Sequence, residues 1–341
     1  MPTSPEAAPP ALPSPVVLHS PADAVLAAPL MLGYWPEGSL CAIFTDAQRR
    51  VALIMRWDAD AAFPVLPPSA AGIGPHDAVP LESVHLVAYT APPEPSEPPV
   101  APHRSAWGHA EAALRGCGSS LGWILVAARH GDNVPWTFVE GDAGDLDVRV
   151  ISAAEIAQRA RRWGLPPWSA TRDEYVGDIA TDPDARERVV KVMRTLTPVV
   201  EASRDDAIDV AHDLLACATL TDTSLAQALV ALADVRVRDT LLWDLMHEAP
   251  STWAATGERL ARMVAVAPDT HVAGPATLLA ILRWQVGDGS RASAAVERAL
   301  AADPTYTLAA LVDRCLATGM HPAMWRAGLA DLSREACRRA A

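Results

Sequence analysis

The chain has 341 residues, of which 50% are apolar and 20% charged, and its 41 acidic against 28 basic residues give a formal net charge of −13. That apolar content excludes disorder throughout, because chains that stay unfolded lack side chains to bury, and the length suits one large or two ordinary domains. The acidic balance argues against a general nucleic-acid binder, which needs a basic face to neutralise phosphates.

In chain order, residues 1–18 read as a disordered, extended Pro/Ala-rich tail without the basic start and apolar run of a secretory signal. Ser20, Pro21 and Asp23 then supply an N-cap, a first-position proline and a first-turn acid, which predicts a helix. It carries Val25, Leu26 and Leu30 and ends near Gly33, with Pro29 marking a bend or an earlier stop. Residues 39–45 and 50–57 read as a strand hairpin, and 84–90 as a third strand. Pro/Gly-rich loops are expected over 64–80 and 92–102, and a helix over 107–114. Residues 121–127 form a near-continuous apolar run, as a central strand covered on both faces would. Short strands at 136–139 and 148–151 lead into a helix over 152–163 that Gly164 ends. The expectation for 19–168 is therefore an α/β domain around a mixed sheet.

After Pro167 the strand signals fade and helix signals repeat. Helices are expected over 181–196, 204–218, 224–233, 237–248, 252–266, 276–285 (opened by Pro275), 291–301, 307–317 and 322–337. This makes 169–341 an all-helical domain with short connections, and the fold class α+β overall. Leu279, Ala280, Gly287, Ala292, Val296, Ala299 and Pro304 have the spacing of a tetratricopeptide unit. Three such units are needed for a solenoid and one is visible, so a tetratricopeptide-like helical hairpin is expected.

Polar residues interrupt the longest apolar stretch, 214–233, so no membrane span is expected. Cys41, Cys117, Cys217, Cys315 and Cys337 are widely spaced and odd in number, which reads as free thiols in a reducing cytoplasm.

Chemistry is sparse. Asp205, Asp209, His212 and Asp213 fall at i, i+4, i+7 and i+8, one helical face that suits either a divalent cation or plain solvation. Asp244, His247 and Glu248 repeat the pattern. In both places the solvated acidic face is the reading adopted, and no metal or cofactor is assigned. The glycines at 116–122 precede a strand, the reverse of a dinucleotide fingerprint. The only lysine, Lys191, lies outside any phosphate-loop pattern, and no nucleophile elbow is visible. Tryptophan is abundant, 11 against 3 Phe and 4 Tyr, and Trp163 and Trp168 flank the change of texture. The ligand- or partner-binding candidates are Tyr34, Trp35, Ser39, Arg56 and Asp58, with Arg238 and Asp239. Arginine suits carboxylate or phosphate oxygens.

Met31-Leu32-Gly33-Tyr34-Trp35-Pro36-Glu37-Gly38-Ser39-Leu40, followed by Arg56-Trp57-Asp58, resembles the opening of the actinobacterial domain-of-unknown-function 4192 family. The run from Trp284 through Gly287-Asp288-Gly289 and Glu297-Arg298-Ala299-Leu300 to Asp303-Pro304-Thr305-Tyr306 is similar to its C-terminal part. The resemblance implies an actinobacterial, cytoplasmic protein and supplies no catalytic residue. The sequence reading is a non-catalytic binding or scaffold module with a protein partner, no membrane and no nucleic acid. The alternative is an enzyme acting on a small acidic metabolite at the sheet end or the domain junction.

Overall fold

A computed structural model describes residues 15–59, 81–91, 120–139, 147–200, 203–217 and 219–339. The chain divides into two compact units. One takes the described residues up to Tyr175 and the short stretch Thr318–Met320; the other takes Val176–Ala317 and the residues from His321 onward. The expected helix over 107–114 and both Pro-rich loops fall outside the described residues.

The first unit is built on a six-stranded mixed sheet ordered β2-β1-β3-β4-β5-β6. The strands are β1 (Ser39–Thr45), β2 (Val51–Asp58), β3 (Ser83–Thr90), β4 (Ser120–Ala128), β5 (Val134–Phe138) and β6 (Arg149–Ile151). The β3–β4 pair is parallel and the others antiparallel. Alternation along the strands separates two buried faces, as a two-residue period requires. Cys41, Ile43, Val87, Tyr89, Leu125 and Trp136 share one, and Leu40, Ala42, Phe44, Met55, Leu86 and Val126 the other. The first face packs with α1 (Pro21–Leu32) and α2 (Ala153–Trp163). The turn between β1 and β2 is fixed by Asp46, whose carboxylate accepts the N–H groups of Gln48 and Arg50.

Helix α1 begins as expected. The Ser20 hydroxyl accepts the Asp23 N–H, and the Asp23 carboxylate accepts the Ser20 N–H in return. Buried Asp23 also binds Arg159 (2.7 Å) and Arg162 (3.2 Å) of α2. Burial alone would raise its carboxyl; the Arg159 hydrogen bond and the His19 N–H outweigh this and hold it below the usual carboxylate range. Pro29 neither stops nor shortens the helix. It removes the N–H that would reach the Val25 carbonyl, and the Tyr89 hydroxyl donates to that carbonyl instead at 2.7 Å. Gly33, at φ 84°, closes the helix in the left-handed region.

The expected tail is too long by several residues. Val16 and Leu18 are buried, and both hydrogen-bond to the backbone around Arg50.

The second unit is helical: a 3₁₀ turn at Gly177–Ile179, then α4 (Pro183–Met193), α5 (Arg204–Ala216), α6 (Asp222–Ala231), α7 (Val235–His247) and α8 (Trp253–Val266). It continues with α9 (Asp269–Gln285), α10 (Gly289–Ala302), α11 (Thr307–Ala317), α12 (Pro322–Leu329) and α13 (Arg334–Arg338). The remaining short helix, α3 (Arg172–Tyr175), belongs to the sheet unit. Helices α9 and α10 form the expected hairpin. Leu279, Ala280, Ala292, Val296 and Ala299 are fully buried, and Gly287 turns the chain at φ 87°.

Two expectations fail here. Pro275 lies inside α9 rather than opening it, because every residue from Val272 to Trp284 is buried. Burying a large apolar side chain is worth roughly 1.5–3 kcal/mol, so several together outweigh the ~3 kcal/mol that an internal proline costs. The last helix is two: the chain leaves α12 after Leu329 and restarts at α13, where the Ser333 hydroxyl accepts the Ala336 N–H.

Candidate functional site

Helices α5 and α7 pack side by side in the helical unit. Helix α5 turns Ile208, Ala211 and Leu215 into the core, so the 3.6-residue period leaves Asp205, Asp209, His212 and Asp213 on its outer side. Helix α7 buries Val237, Leu241 and Leu245 and leaves Trp243, Asp244 and His247 more accessible. The Asp234 carboxylate caps it, accepting the N–H groups of Arg236 and Val237.

The two acidic faces meet in one open groove of about 610 Å³, lined by Asp209, His212, Asp213, Trp243, Asp244, His247, Glu248 and Arg334. Asp244 is its hub. Its carboxylate lies 2.8 Å from His212 Nε2 and accepts both Nε and Nη2 of Arg334, at 2.7 and 3.0 Å. Burial alone would raise the Asp244 carboxyl, but Arg334 and His212 outweigh it and hold it below the usual range. The His247 ring stacks on Trp243 at 3.7 Å, and the Trp243 indole N–H donates to the Leu332 carbonyl. Asp209 and Asp213 have no ion-pair partner among the described residues. Among those residues no group of three or more His, Cys, Asp or Glu is arranged to hold a metal ion.

The seven candidates from sequence separate into three places. Ser39, Arg56 and Asp58 meet at the end of the β1–β2 ladder, where Arg56 Nε donates to Ser39 Oγ (2.8 Å) and Nη2 to Asp58 (2.5 Å). Tyr34 and Trp35 are buried. The Trp35 ring meets Tyr89 edge-on at 5.0 Å and lies 5.9 Å from Trp168, while the Tyr34 ring lies 6.1 Å from Tyr175. Arg238 and Asp239 belong to the helical unit. Buried Arg238 donates to Asp239 through Nε and Nη2 and to the Tyr306 hydroxyl through Nη1 (2.6 Å), and its guanidinium sits 5.2 Å from the Tyr306 ring. A Cβ on Gly274 would come 3.4 Å from the same hydroxyl.

Helical periodicity alone gives the two acidic faces separately. The signal that joins them is Arg334 and Arg338, one helical turn apart in α13, which face Asp244 and Asp205 respectively.

A family model described as Domain of unknown function (DUF4192) matches residues 21–323. The chain belongs to this family. No curated protein and no solved structure matches it. The DUF4192 match contains all of α5 and α7, and α13 lies beyond it. The four described cysteines, Cys41, Cys217, Cys315 and Cys337, are all free thiols. None of the described helices is long and apolar enough to cross a membrane.

Proposed function

We propose that this DUF4192 chain is a non-catalytic binding module whose α5–α7 groove receives cationic side chains of a protein partner. The observation that carries the reading is Asp244, which already accepts a guanidinium through both oxygens, the geometry in which arginine binds carboxylates best. Asp209 and Asp213 line the same groove without partners among the described residues, and the chain's charge of −13 favours a basic partner. The unpaired cysteines fit a reducing cytoplasm, and the family resemblance fits an actinobacterial source. The two units are taken as two domains, with their boundary in the sequence between Trp168 and Val176. Calorimetric titration with an acetylated tetra-arginine peptide tests the reading. Saturable binding that Asp209→Asn/Asp213→Asn weakens at least tenfold supports it; a flat titration at low salt refutes it.

A second reading rests on Arg56. Its Nη1 has no partner among the described residues, and the side chain is 27% exposed beside Ser39 and Asp58. An enzyme acting on a small acidic metabolite would bind it there. A metabolite bound at 100 times its dissociation constant stabilises the fold by about 2.7 kcal/mol. A screen of carboxylates and phosphates by melting temperature therefore decides whether this site has a ligand.

A further inference from the structure

The chain from Leu329 to Arg339 has no buried residue, so apolar burial contributes little to holding it in place. Polar groups hold it at three points. Arg334 donates twice to Asp244, and Arg338 donates through Nε and Nη2 to Asp205, both at 2.6 Å. Between α12 and α13, the Leu332 carbonyl accepts the Trp243 indole N–H at 2.9 Å. Helix α13 has only five residues, too few to be stable alone. Its own side chains, Glu335 pairing with Arg338 and Arg339, add contacts within the segment and none to the rest of the fold.

From this we propose that the 329–339 segment is an electrostatic latch beside the α5–α7 groove. Latched, it places Arg334 in the groove wall and occupies Asp244 and Asp205. Unlatched, it returns Asp205 to solvent, leaves Asp244 paired with His212 and withdraws the only arginine that lines the groove among the described residues. Three of the four anchoring side chains are well exposed, Arg334 at 45%, Arg338 at 33% and Asp205 at 64%, and Asp244 is 13% exposed. Exposed pairs of this kind are screened by salt, with a Debye length near 10 Å at 0.1 M and about 3 Å at 1 M. The latch borders the groove for which a partner is proposed above, and the groove stays open with Arg334 in its wall. It nevertheless rests on contacts within the chain, and its test needs no partner, so the two proposals stand or fall separately.

The experiment is backbone amide exchange on the full chain at 0.02 and 0.5 M NaCl, for the wild type and for Asp205→Asn/Asp244→Asn. The latch predicts that amides of 336–339 are protected at low salt and exchange at least tenfold faster at high salt. The double variant should show the fast rate at low salt, while α9 amides keep their wild-type protection and certify the fold. Protection that is unchanged by salt, or no protection at low salt, would overturn the latch. If the double variant loses its α9 protection, the salt comparison on the wild type alone still separates these outcomes.

Discussion

The sheet unit and the α5–α7 groove use polar side chains in opposite ways. In the sheet unit the polar groups that matter are buried, and each completes a backbone or ionic requirement. Tyr89 serves the carbonyl that Pro29 leaves unbonded, Asp23 caps α1 and holds two arginines, and His85 accepts the Trp123 N–H through Nδ1 at 3.0 Å. At the groove the charges stay partly hydrated and pair side chain to side chain. Arg238, buried in the helical unit between Asp239 and Tyr306, follows the sheet unit's pattern. Depth, more than residue type, therefore separates a structural polar group from an exchangeable one. A buried group left unpaired costs roughly 1–3 kcal/mol, whereas an exposed ion pair contributes about 0–1 kcal/mol.

The apolar core sets the upper end of the scale. Phe44 is fully buried on the second face of the sheet, and Phe44→Ala should destabilise by about 3–5 kcal/mol, read by urea unfolding. A loss no larger than that of a surface substitution would break the account of the sheet's second buried face.

His85 comes next. Its ring stacks on Trp123 and fills the space above Gly122, where a Cβ would collide with it. Burial, with a smaller push from Arg49, holds the imidazole down to about 4 from 6.5. A base with a depressed folded pKa stabilises the fold fully above its unfolded pKa. That contribution is lost as pH falls from about 6.5 towards 4, and a shift of this size corresponds to up to about 3 kcal/mol. The stability difference between wild type and His85→Gln should shrink across that window. A difference that stays constant from pH 7.5 to 4 would show that the ring is not held neutral by the fold.

Tyr89→Phe leaves the Val25 carbonyl without its donor and should cost about 1–3 kcal/mol. In a Pro29→Ala background the helix supplies its own N–H, so the same substitution should cost measurably less. Additive effects in this double-mutant cycle would dissociate the tyrosine from the proline. The smallest effect belongs to the groove: Asp209→Asn should change stability by no more than about 0.5 kcal/mol, since its carboxylate has no partner among the described residues. A larger loss would move it to the structural side of the comparison.

Local patterns made much of this molecule readable from sequence. Every strand expectation that falls on described residues has a strand there, and the caps at Ser20 and Ser152 are written in three or four neighbouring residues. The prolines misled, because their outcome depends on partners far along the chain. Tyr89 is 64 residues from Val25, and the burial that keeps Pro275 helical is a property of the whole bundle. The groove was half visible for the same reason. Periodicity placed acids on one face of α5 and of α7, but only tertiary packing sets the two faces together and brings Arg334, 90 residues from Asp244, between them. Among the chosen candidates, Ser39, Arg56 and Asp58 do converge, whereas Tyr34, Trp35 and Arg238 are buried within their own units.

The most direct test of the binding reading is an amide-exchange footprint of the full chain with and without the tetra-arginine peptide at low salt. The account predicts added protection confined to α5 around residues 205–213 and to the end of α7 at 243–248. Protection at the β1–β2 end around residues 39–41 and 56–58, with α5 and α7 unchanged, would contradict it.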